Sequence, residues 1–576
     1  MKYDISRYAK TLELDKILEL LSQQAGIADT AEEAVSLVPS TDFDEVKTLL
    51  SKTNDAYIFM SKYSAPSFGA AKNVSSSLKR AQASAVLSIK ELLDIAEVLR
   101  IIRGVKIWRE NCGGIKDTSL EEYFYSLIPN KYLEDKINFA IKSEEELNDN
   151  ASQTLYDIRR KLTAKSAKIR EILERIVRGP TAKYLQDAII TQRDGRFVVP
   201  LKSEYKGQIS GVVHDTSATG STIFIEPMSV VETNNEIRVL KSREQEEIER
   251  ILSELSADAG GSADSIISSY NALCSIDMAF AKAKLAYKMK ASLPIINRNG
   301  NIFLKRARHP LIPYKSVVPV TVELGGDYDT LVITGPNTGG KTVTLKTIGL
   351  LTLMTMCGLM IPVDDGSRIS VFKKVFADIG DEQSIEQSLS TFSSHMVNII
   401  SITENADNDS LVLFDELCAG TDPVEGAALA KAILMRLASA GAKIAATTHY
   451  PELKSYAIDT KRVENASCEF DVKTLKPTYR LIIGMPGRSN AFAISKRLGL
   501  GTDIIETAEK EVSDEDRRFE RVVGSLESAR KAAEDERKKA QELRINLENA
   551  KKKSEQRERD LELKQEKLLE KTREDA

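Results

Sequence analysis

The sequence predicts an α+α/β multidomain protein with a helical core, long paired helices, a small β insertion, an α/β domain and a charged helical arm. Three observations support this fold class. Apolar residues recur at helical spacing in the first half, apolar strands alternate with helices between about residues 297 and 500, and more than half of the residues after Glu511 are charged. We expect four domains: 1–128, 129–295 with a β-hairpin insertion at 184–230, 296–510 and 511–576.

Composition narrows the class of protein. Lys and Arg number 81 against 85 Asp and Glu, a net charge of -4 that excludes a uniformly basic nucleic-acid sleeve but leaves local basic faces open. The five cysteines are scattered and form no CxxC pair, which is typical of a reducing compartment. No apolar run reaches the roughly 18 residues of a membrane span. We therefore expect a cytoplasmic protein with no membrane partner.

Helical spacing organises the N-terminal domain. Leucine and isoleucine recur at helical positions in 12–21, which predicts an amphipathic helix. A second amphipathic helix is expected after Pro39, because Ser40, Thr41 and Asp42 offer N-cap side chains ahead of its apolar positions. The domain is therefore expected to be helices joined by short polar segments.

A pair of long helices is expected next. Apolar residues seven apart predict one helix from Lys131 to Arg178, which Gly179-Pro180 ends, and its partner from Asn235 to about Leu255. Between them, turn signals at Asp194-Gly195 and at 217–220 predict two β-hairpins. Basic side chains on the first helix indicate either a solvated coiled-coil face or a phosphate-tracking stripe: Arg159, Arg160, Lys161, Lys165 and Lys168.

The charged arm at 511–576 contains a weak heptad pattern. Leu547, Leu561 and Leu568 keep a heptad register, while Ser554 interrupts it. The pattern favours a helix, which either projects singly or pairs as a coiled coil. Because the chain ends inside this arm, we expect a further C-terminal module.

A phosphate-binding loop is predicted at the start of the α/β domain. The apolar strand 331–334 leads into a G-x-x-x-x-G-K-T motif, and a helix follows. Glycines let backbone N–H groups surround a phosphate, the lysine reaches the β- and γ-phosphates, and the threonine hydroxyl binds Mg²⁺. We therefore predict ATP and Mg²⁺ as cofactors. The predicted nucleotide-binding residues are Gly335, Pro336, Asn337, Thr338, Gly339, Gly340, Lys341 and Thr342.

Two later apolar strands end in polar side chains. The strand 411–414 delivers Asp415 and Glu416, and we expect Asp415 to hold the metal while Glu416 activates water. The strand at 444–448 ends in His449, which either hydrogen-bonds the γ-phosphate or its water or is a structural cap. The predicted catalytic set therefore includes Asp415, Glu416 and His449, with Mg²⁺ held by Thr342 and Asp415.

Five segments occur in the order of a known module. Together they resemble the ATPase module of the MutS family, an ABC-type P-loop ATPase domain, and the long helices resemble the MutS lever helices. The start and the Leu417-Cys418 segment resemble the second bacterial MutS subfamily more than the mismatch-repair protein. The segments are 308–311 (RHPL), 334–342 (TGPNTGGKT), 389–396 (LSTFSSHM), 415–423 (DELCAGTDP) and 447–453 (TTHYPEL).

The resemblance implies roles that residue spacing does not. It implies a homodimer with composite sites, in which Ser390 acts in trans on the partner's nucleotide and Asn337 faces the γ-phosphate. It implies collided or stalled ribosomes with their rRNA, or branched DNA, as targets of an ATP-driven clamp. Full-length relatives of this kind carry KOW and Smr modules, so the family's endonuclease activity is expected to need an Smr module outside this chain.

Two alternatives stay open. One is a repair ATPase that binds mismatched DNA, although the small mismatch-reading domain is not evident in the sequence. The other is an ABC-type structural ATPase of the chromosome-tethering kind, in which a long coiled coil separates the two nucleotide motifs. Only about 70 residues separate Thr342 from Asp415 here, which disfavours it.

Overall fold

The structure is a computed structural model. It describes residues 3–115, 117–335, 339–380, 391–471, 476–487, 491–511, 522–525, 529, 532–533, 536–537, 539–558 and 561. The mixed helical and sheet architecture predicted from the sequence is present, and it divides into two compact units. We call them the helical unit (18–37 and 51–287) and the sheet unit (1–17, 38–50 and 288–576).

The secondary structure follows in chain order. The α-helices are α1 (Ile5–Thr11), α2 (Leu14–Ser22), α3 (Ala28–Val35), α4 (Phe43–Tyr63), α5 (Ser75–Gln82), α6 (Ile89–Asn111), α7 (Glu121–Ser126), α8 (Lys131–Ala140), α9 (Gln153–Arg178), α10 (Met228–Gly261), α11 (Ala263–Met289), α12 (Lys341–Met356), α13 (Thr391–Asn405), α14 (Pro423–Ser439), α15 (Pro451–Asp459), α16 (Ala491–Leu498) and α17 (Thr502–Glu511). The strands are β1 (Ile141–Ser143), β2 (Glu146–Leu147), β3 (Thr191–Arg193), β4 (Arg196–Lys202), β5 (Gly211–Thr216), β6 (Thr222–Pro227), β7 (Ile295–Asn297), β8 (Ile302–Ala307), β9 (Val320–Leu324), β10 (Thr330–Thr334), β11 (Arg368–Ser370), β12 (Lys374–Asp378), β13 (Ser410–Phe414), β14 (Lys443–Thr447), β15 (Val463–Asp471) and β16 (Lys476–Ile483).

The core of the helical unit forms around α6. This helix begins with a capping box, in which the Ser88 hydroxyl accepts from the Glu91 N–H and the Glu91 carboxylate accepts from the Ser88 N–H. Aromatic rings fill the centre of the core, with Trp108 packed against Phe59 and Phe280. The capping box fixes the start of α6, and the packed rings stabilise the core around it.

The single helix predicted from Lys131 to Arg178 is wrong. Helix α8 ends at Ala140, the short hairpin β1–β2 intervenes, and α9 begins at Gln153. The segment 148–150 is Asn-Asp-Asn, whose side chains compete with helical backbone bonds and favour turns. The Ser152 hydroxyl then accepts from the Leu155 N–H and caps α9.

Helices α9 and α10 pair along their length. Helix α10 is longer than its prediction at both ends, since it begins at Met228 and ends at Gly261. Ion pairs join the two helices, with Arg159 bonded to Glu244 at 2.8 Å and Lys165 to Glu236 at 2.5 Å. These pairs favour helix pairing, over phosphate contact, as the role of these two basic residues.

The β insertion contains both predicted hairpins. In the first, Arg193 pairs with Arg196 across Asp194 and Gly195, whose φ angles are 48° and 75°. In the second, β5 and β6 pair around a turn that ends at Gly220. The strand order is β3-β4-β6-β5.

A buried carboxylate caps one helix of the helical unit from another. Asp277 on α11 accepts from the Gly26 N–H at 2.8 Å and from the Ile27 N–H at 2.9 Å, at the start of α3. Ile27 offers no side-chain cap of its own. Burial raises the pKa of Asp277, and the two N–H donors act in the opposite direction. The carboxylate is therefore the structural cap of α3.

We expect Asp277→Ala to lower the free energy of unfolding by about 2 kcal/mol, because two N–H groups lose their acceptor. Urea unfolding followed by circular dichroism measures the change. Asp264→Ala, an exposed substitution in the first turn of the same helix, is the control and should cost only about 0.5 kcal/mol. Equal losses in the two variants would contradict the capping role.

The main sheet of the sheet unit brings the predicted nucleotide residues to one edge. Its strand order is β12-β13-β14-β10-β15-β16, and only the β15–β16 pairing is antiparallel. Ligands of such α/β sheets bind outside the carboxyl ends of the parallel strands. A second sheet of the same unit has the strand order β7-β11-β8-β9.

The predicted four-domain division stays a prediction, since the compact units are two and one of them gathers 1–17 and 38–50 with 288–576. In the arm, residues 539–558 are helical and exposed, including Leu547, while Leu568 lies outside the described residues. Among the described residues, no helix combines the length and apolar character needed to cross a membrane.

Candidate nucleotide site

The predicted phosphate loop follows β10, all of whose residues are buried. Gly335, directly after the strand, has φ 128°, and Gly340, the residue before α12, has φ 93°. Both angles lie in the region that favours glycine. Helix α12 then begins at Lys341, so its free N–H groups point towards this loop. Pro336, Asn337 and Thr338 lie outside the described residues.

Lys341 lies at the centre of the polar contacts. Its side chain is 1% exposed, and its Nζ is 2.9 Å from Nε2 of His449 and 3.9 Å from Oε1 of Glu416. Burial lowers the pKa of Lys341, while the carboxylates of Glu416 and Asp415 act in the opposite direction. The structure therefore brings the predicted phosphate lysine together with two predicted catalytic residues.

Asp415 joins the two nucleotide motifs. Its Oδ2 accepts from the Thr342 hydroxyl at 2.6 Å, and its Oδ1 accepts from the Thr447 hydroxyl at 2.6 Å. The two oxygen donors predicted for Mg²⁺ thus lie side by side. Magnesium is commonly held by one or two protein oxygens together with substrate phosphates and water, and this pair fits that pattern. The described residues contain no cluster of three or more His, Cys, Asp or Glu side chains suited to a metal.

Glu416 is held in an uncommon backbone conformation. Its φ is 50°, in the left-handed region, and its N–H donates to the Thr447 hydroxyl at 2.7 Å. Its Oε1 lies 3.1 Å from Nε2 of His449. That nitrogen therefore faces both Lys341 and Glu416, and a neutral imidazole nitrogen can accept from one or donate to the other, but not both.

Two residues of this site were missed by the sequence analysis. Thr447 contacts both Asp415 and Glu416, and although it lies in the family segment 447–453, no role was assigned to it from the sequence. Tyr479 lies on β16 with φ 58°, beside a register shift in the β15–β16 ladder. Its ring edge lies 3.1 Å from the place that a Cβ at Gly340 would occupy. A bulge thus directs a half-exposed aromatic ring at the phosphate loop, which no local pattern indicated.

Ser390, the residue predicted to act in trans, lies outside the described residues. Helix α13 begins directly after it, at Thr391. The roles of Ser390, His449, Asp415 and Glu416 all stay predictions, although the structure places the last three within one hydrogen-bonded group.

The part of the chain that contains this site matches a known protein family. Residues 331–515 match the family profile described as MutS domain V, which includes β10, α12 and both later strands. A protein of Acetivibrio thermocellus named Endonuclease MutS2 is 51% identical over 521 residues, which are 90% of this chain and 66% of that protein. Proteins of the same name from Clostridioides difficile and Geobacillus sp. (strain WCH70) are 50% and 49% identical, covering 65% and 67% of their lengths.

The matched region extends well beyond the nucleotide motifs, since it includes 89–90% of this chain in each of these relatives. The chain itself spans about two thirds of the length of the curated relatives that it matches. Identity of 49–51% over more than 500 residues is far above what a shared fold alone produces. Together with the MutS domain V match, it shows that this chain belongs to the MutS family, as a MutS2-type member.

Proposed function

We propose that the chain is a Mg²⁺-dependent ATPase of the MutS type, whose nucleotide cycle drives a conformational change on a target that contains nucleic acid. The observation that carries the proposal is the hydrogen-bonded group that joins the phosphate loop to the Asp-Glu strand through Thr342, Asp415 and Thr447. These side chains lie at the start of α12 and at the carboxyl ends of β13 and β14, and such a polar group suits phosphate and metal chemistry.

Each side chain receives a role from its contacts. Lys341 and the N-terminus of α12 bind the phosphates, while Thr342 and Asp415 would hold Mg²⁺, which would supply positive charge beside the phosphate oxygens. Glu416 takes the proton of the attacking water. When Lys341 donates to phosphate in place of His449, Nε2 of His449 can donate to Oε1 of Glu416 and hold that carboxylate in place. Tyr479 offers its ring to the base or ribose.

The active form is proposed to be a homodimer. Besides the resemblance, exposed apolar side chains on the helices that follow the nucleotide motifs support an interface there. Val397 on α13 is 58% exposed and Val424 on α14 is 74% exposed. The family resemblance implies that a second copy would supply its Ser390 to the γ-phosphate.

Mixing two variants tests the composite site. Lys341→Ala chains and Ser390→Ala chains should each hydrolyse ATP poorly alone. If Ser390 acts in trans, the heterodimer has one doubly damaged site and one intact site, so an equimolar mixture should recover about a quarter of the wild-type rate. Steady-state phosphate release measures it.

Subunit exchange must be demonstrated in the same mixture, for example by fluorescence energy transfer between labelled chains. A mixture of wild-type and Lys341→Ala chains is the matched control for dilution of active sites. Exchange without any recovery of hydrolysis would exclude the composite site and leave each subunit an independent ATPase.

We propose a collided or stalled ribosome with its rRNA, or branched DNA, as the target, because both fit a pair of long helices that an ATPase opens and closes. The word endonuclease in the names of the relatives describes those proteins, and we assign no nuclease residue among those described. A cytoplasmic location is part of the same proposal.

Binding assays distinguish the targets. We expect the chain, with non-hydrolysable ATP, either to co-sediment with ribosomes or to shift four-way junctions in a gel. Linear duplex DNA is the reference ligand, and it should bind more weakly than the preferred target. Preference for a mismatched duplex over its matched counterpart would support the alternative of a mismatch-binding ATPase. The exposed Lys161 on α9 is a candidate for contact with target phosphates. Lys161→Glu should therefore weaken binding to the target and leave the rate of ATP hydrolysis unchanged.

A further inference from the structure

Asp378 connects the metal-binding strand to helix α13. It is the last residue of β12, and its carbonyl accepts from the Asp415 N–H at 2.9 Å. Its side chain is only 8% exposed. A buried carboxylate needs hydrogen-bond donors, and among the described residues α13 supplies two of them to Asp378. Asp378 therefore contacts the Asp415 strand through its backbone and α13 through its side chain.

The two donors lie one helical turn apart. His395 Nδ1 is 2.9 Å from Oδ2 of Asp378, and Asn398 Nδ2 donates to Oδ1 at 2.8 Å. Residues three apart share one face of a helix, so the carboxylate fixes both the position and the rotation of α13. The Asn398 carbonyl also accepts from the Tyr8 hydroxyl at 3.3 Å, which holds the amide from its other side.

Gly380 leaves room for the imidazole ring. A Cβ at Gly380 would lie 3.0 Å from Cε1 and 3.4 Å from Nε2 of His395. The ring is therefore packed against the backbone two residues after β12, while Nδ1 faces Asp378. Gly380 at one edge and Asp378 at the other limit where the ring can lie, so the contact links the end of β12 to α13.

We propose that Asp378, His395 and Asn398 are positioning residues that set α13 relative to the Asp415–Glu416 strand end. The inference rests on the proposed function, because its consequence is that α13 and the Asp415–Glu416 strand end keep the spacing that ATP hydrolysis needs. The three residues are assigned no contact with substrate. Hydrolysis depends on them through geometry, and a displacement of about 1 Å costs up to roughly 100-fold in rate.

Two substitutions of His395 separate positioning from other roles. Asparagine places an amide nitrogen near the position of Nδ1, whereas glutamine places it near Nε2. We expect His395→Asn to keep kcat within about twofold of wild type, and His395→Gln to lower kcat about tenfold or more. The affinity for ATP, measured by binding of a fluorescent analogue, should stay unchanged in both because the P-loop is intact.

Thermal unfolding of each variant guards against a fold defect, and Glu404→Gln, an exposed change on the same helix, is the control. A double-mutant cycle with Asp378→Ala, His395→Ala and the double variant measures how far the two residues act together on kcat. The double variant should hydrolyse ATP no more slowly than the slower of the two single variants. Equal loss in the asparagine and glutamine variants, or multiplying effects in the cycle, overturns the proposal. Unchanged ATP binding in Lys341→Met would instead refute the proposed function itself.

Discussion

Replacing Glu416 with glutamine is expected to leave MgATP affinity within about twofold of wild type and to slow hydrolysis by at least about 100-fold. The amide keeps the size of the side chain and can still contact Nε2 of His449, which lies 3.1 Å from Oε1. It cannot accept a proton from water. Because Asp415 and Thr342 are untouched, the metal and phosphates keep their protein partners. Single-turnover hydrolysis with equilibrium nucleotide binding separates the two effects.

Glu425→Gln is the matched control, because it makes the same change at an exposed carboxylate nine residues later, in the first turn of α14. Its hydrolysis rate should equal that of the wild type. If Glu416→Gln turned over within a few-fold of wild type, the water-activating role would pass to another group, and His449 would be tested first. A large loss of MgATP affinity would instead place Glu416 among the metal-binding residues.

Contiguous motifs made part of this site predictable. Glycines at fixed offsets after a buried strand leave few backbone conformations, so the loop before Lys341 could be placed from sequence. The same holds for the strand that ends at Asp415, because parallel strands share one edge for their carboxyl ends. The structure accordingly puts the Thr342 hydroxyl 2.6 Å from Asp415, although 73 residues separate them.

The remaining contacts depend on how distant strands pair. Thr447 meets Asp415 because β13 and β14 are neighbours, and Tyr479 faces Gly340 because of a bulge in the β15–β16 ladder. Asp378 and His395 meet only after α13 packs on β12. Local spacing predicts the helix or strand that contains a residue. It does not predict which residues of other elements that residue contacts, so none of these contacts follows from it.

The wrong prediction of a single helix over 131–178 arose from a local pattern, and not from contacts between distant elements. Apolar residues in heptad positions continue through α9, but the segment between α8 and α9 forms a hairpin and a turn of its own. Periodicity averages over a window and is insensitive to a few residues such as Asn148-Asp149-Asn150. Capping residues give the better boundary here, since Ser152 marks the true start of α9.

Lys341→Met is expected to weaken ATP binding by about 3 kcal/mol or more, which is roughly 100-fold in Kd. A phosphate loop without its lysine loses a charge-assisted contact in a site from which water is largely excluded, since the side chain is 1% exposed. Hydrolysis should fall below detection at ATP concentrations that saturate the wild type. Isothermal titration with a non-hydrolysable analogue measures the affinity directly.

In the absence of nucleotide, the Lys341→Met protein should be as stable as the wild type, with a thermal unfolding midpoint within about 3 °C of it. Methionine nearly preserves the buried volume, and burial already disfavours the ammonium, as the lowered pKa of Lys341 indicates. Lys346→Met on the same helix is the control: that lysine pairs with Glu13 at 3.5 Å, so its loss should leave ATP affinity unchanged. A stable Lys341→Met protein that bound ATP with near wild-type affinity would remove the central contact on which the ATPase assignment depends.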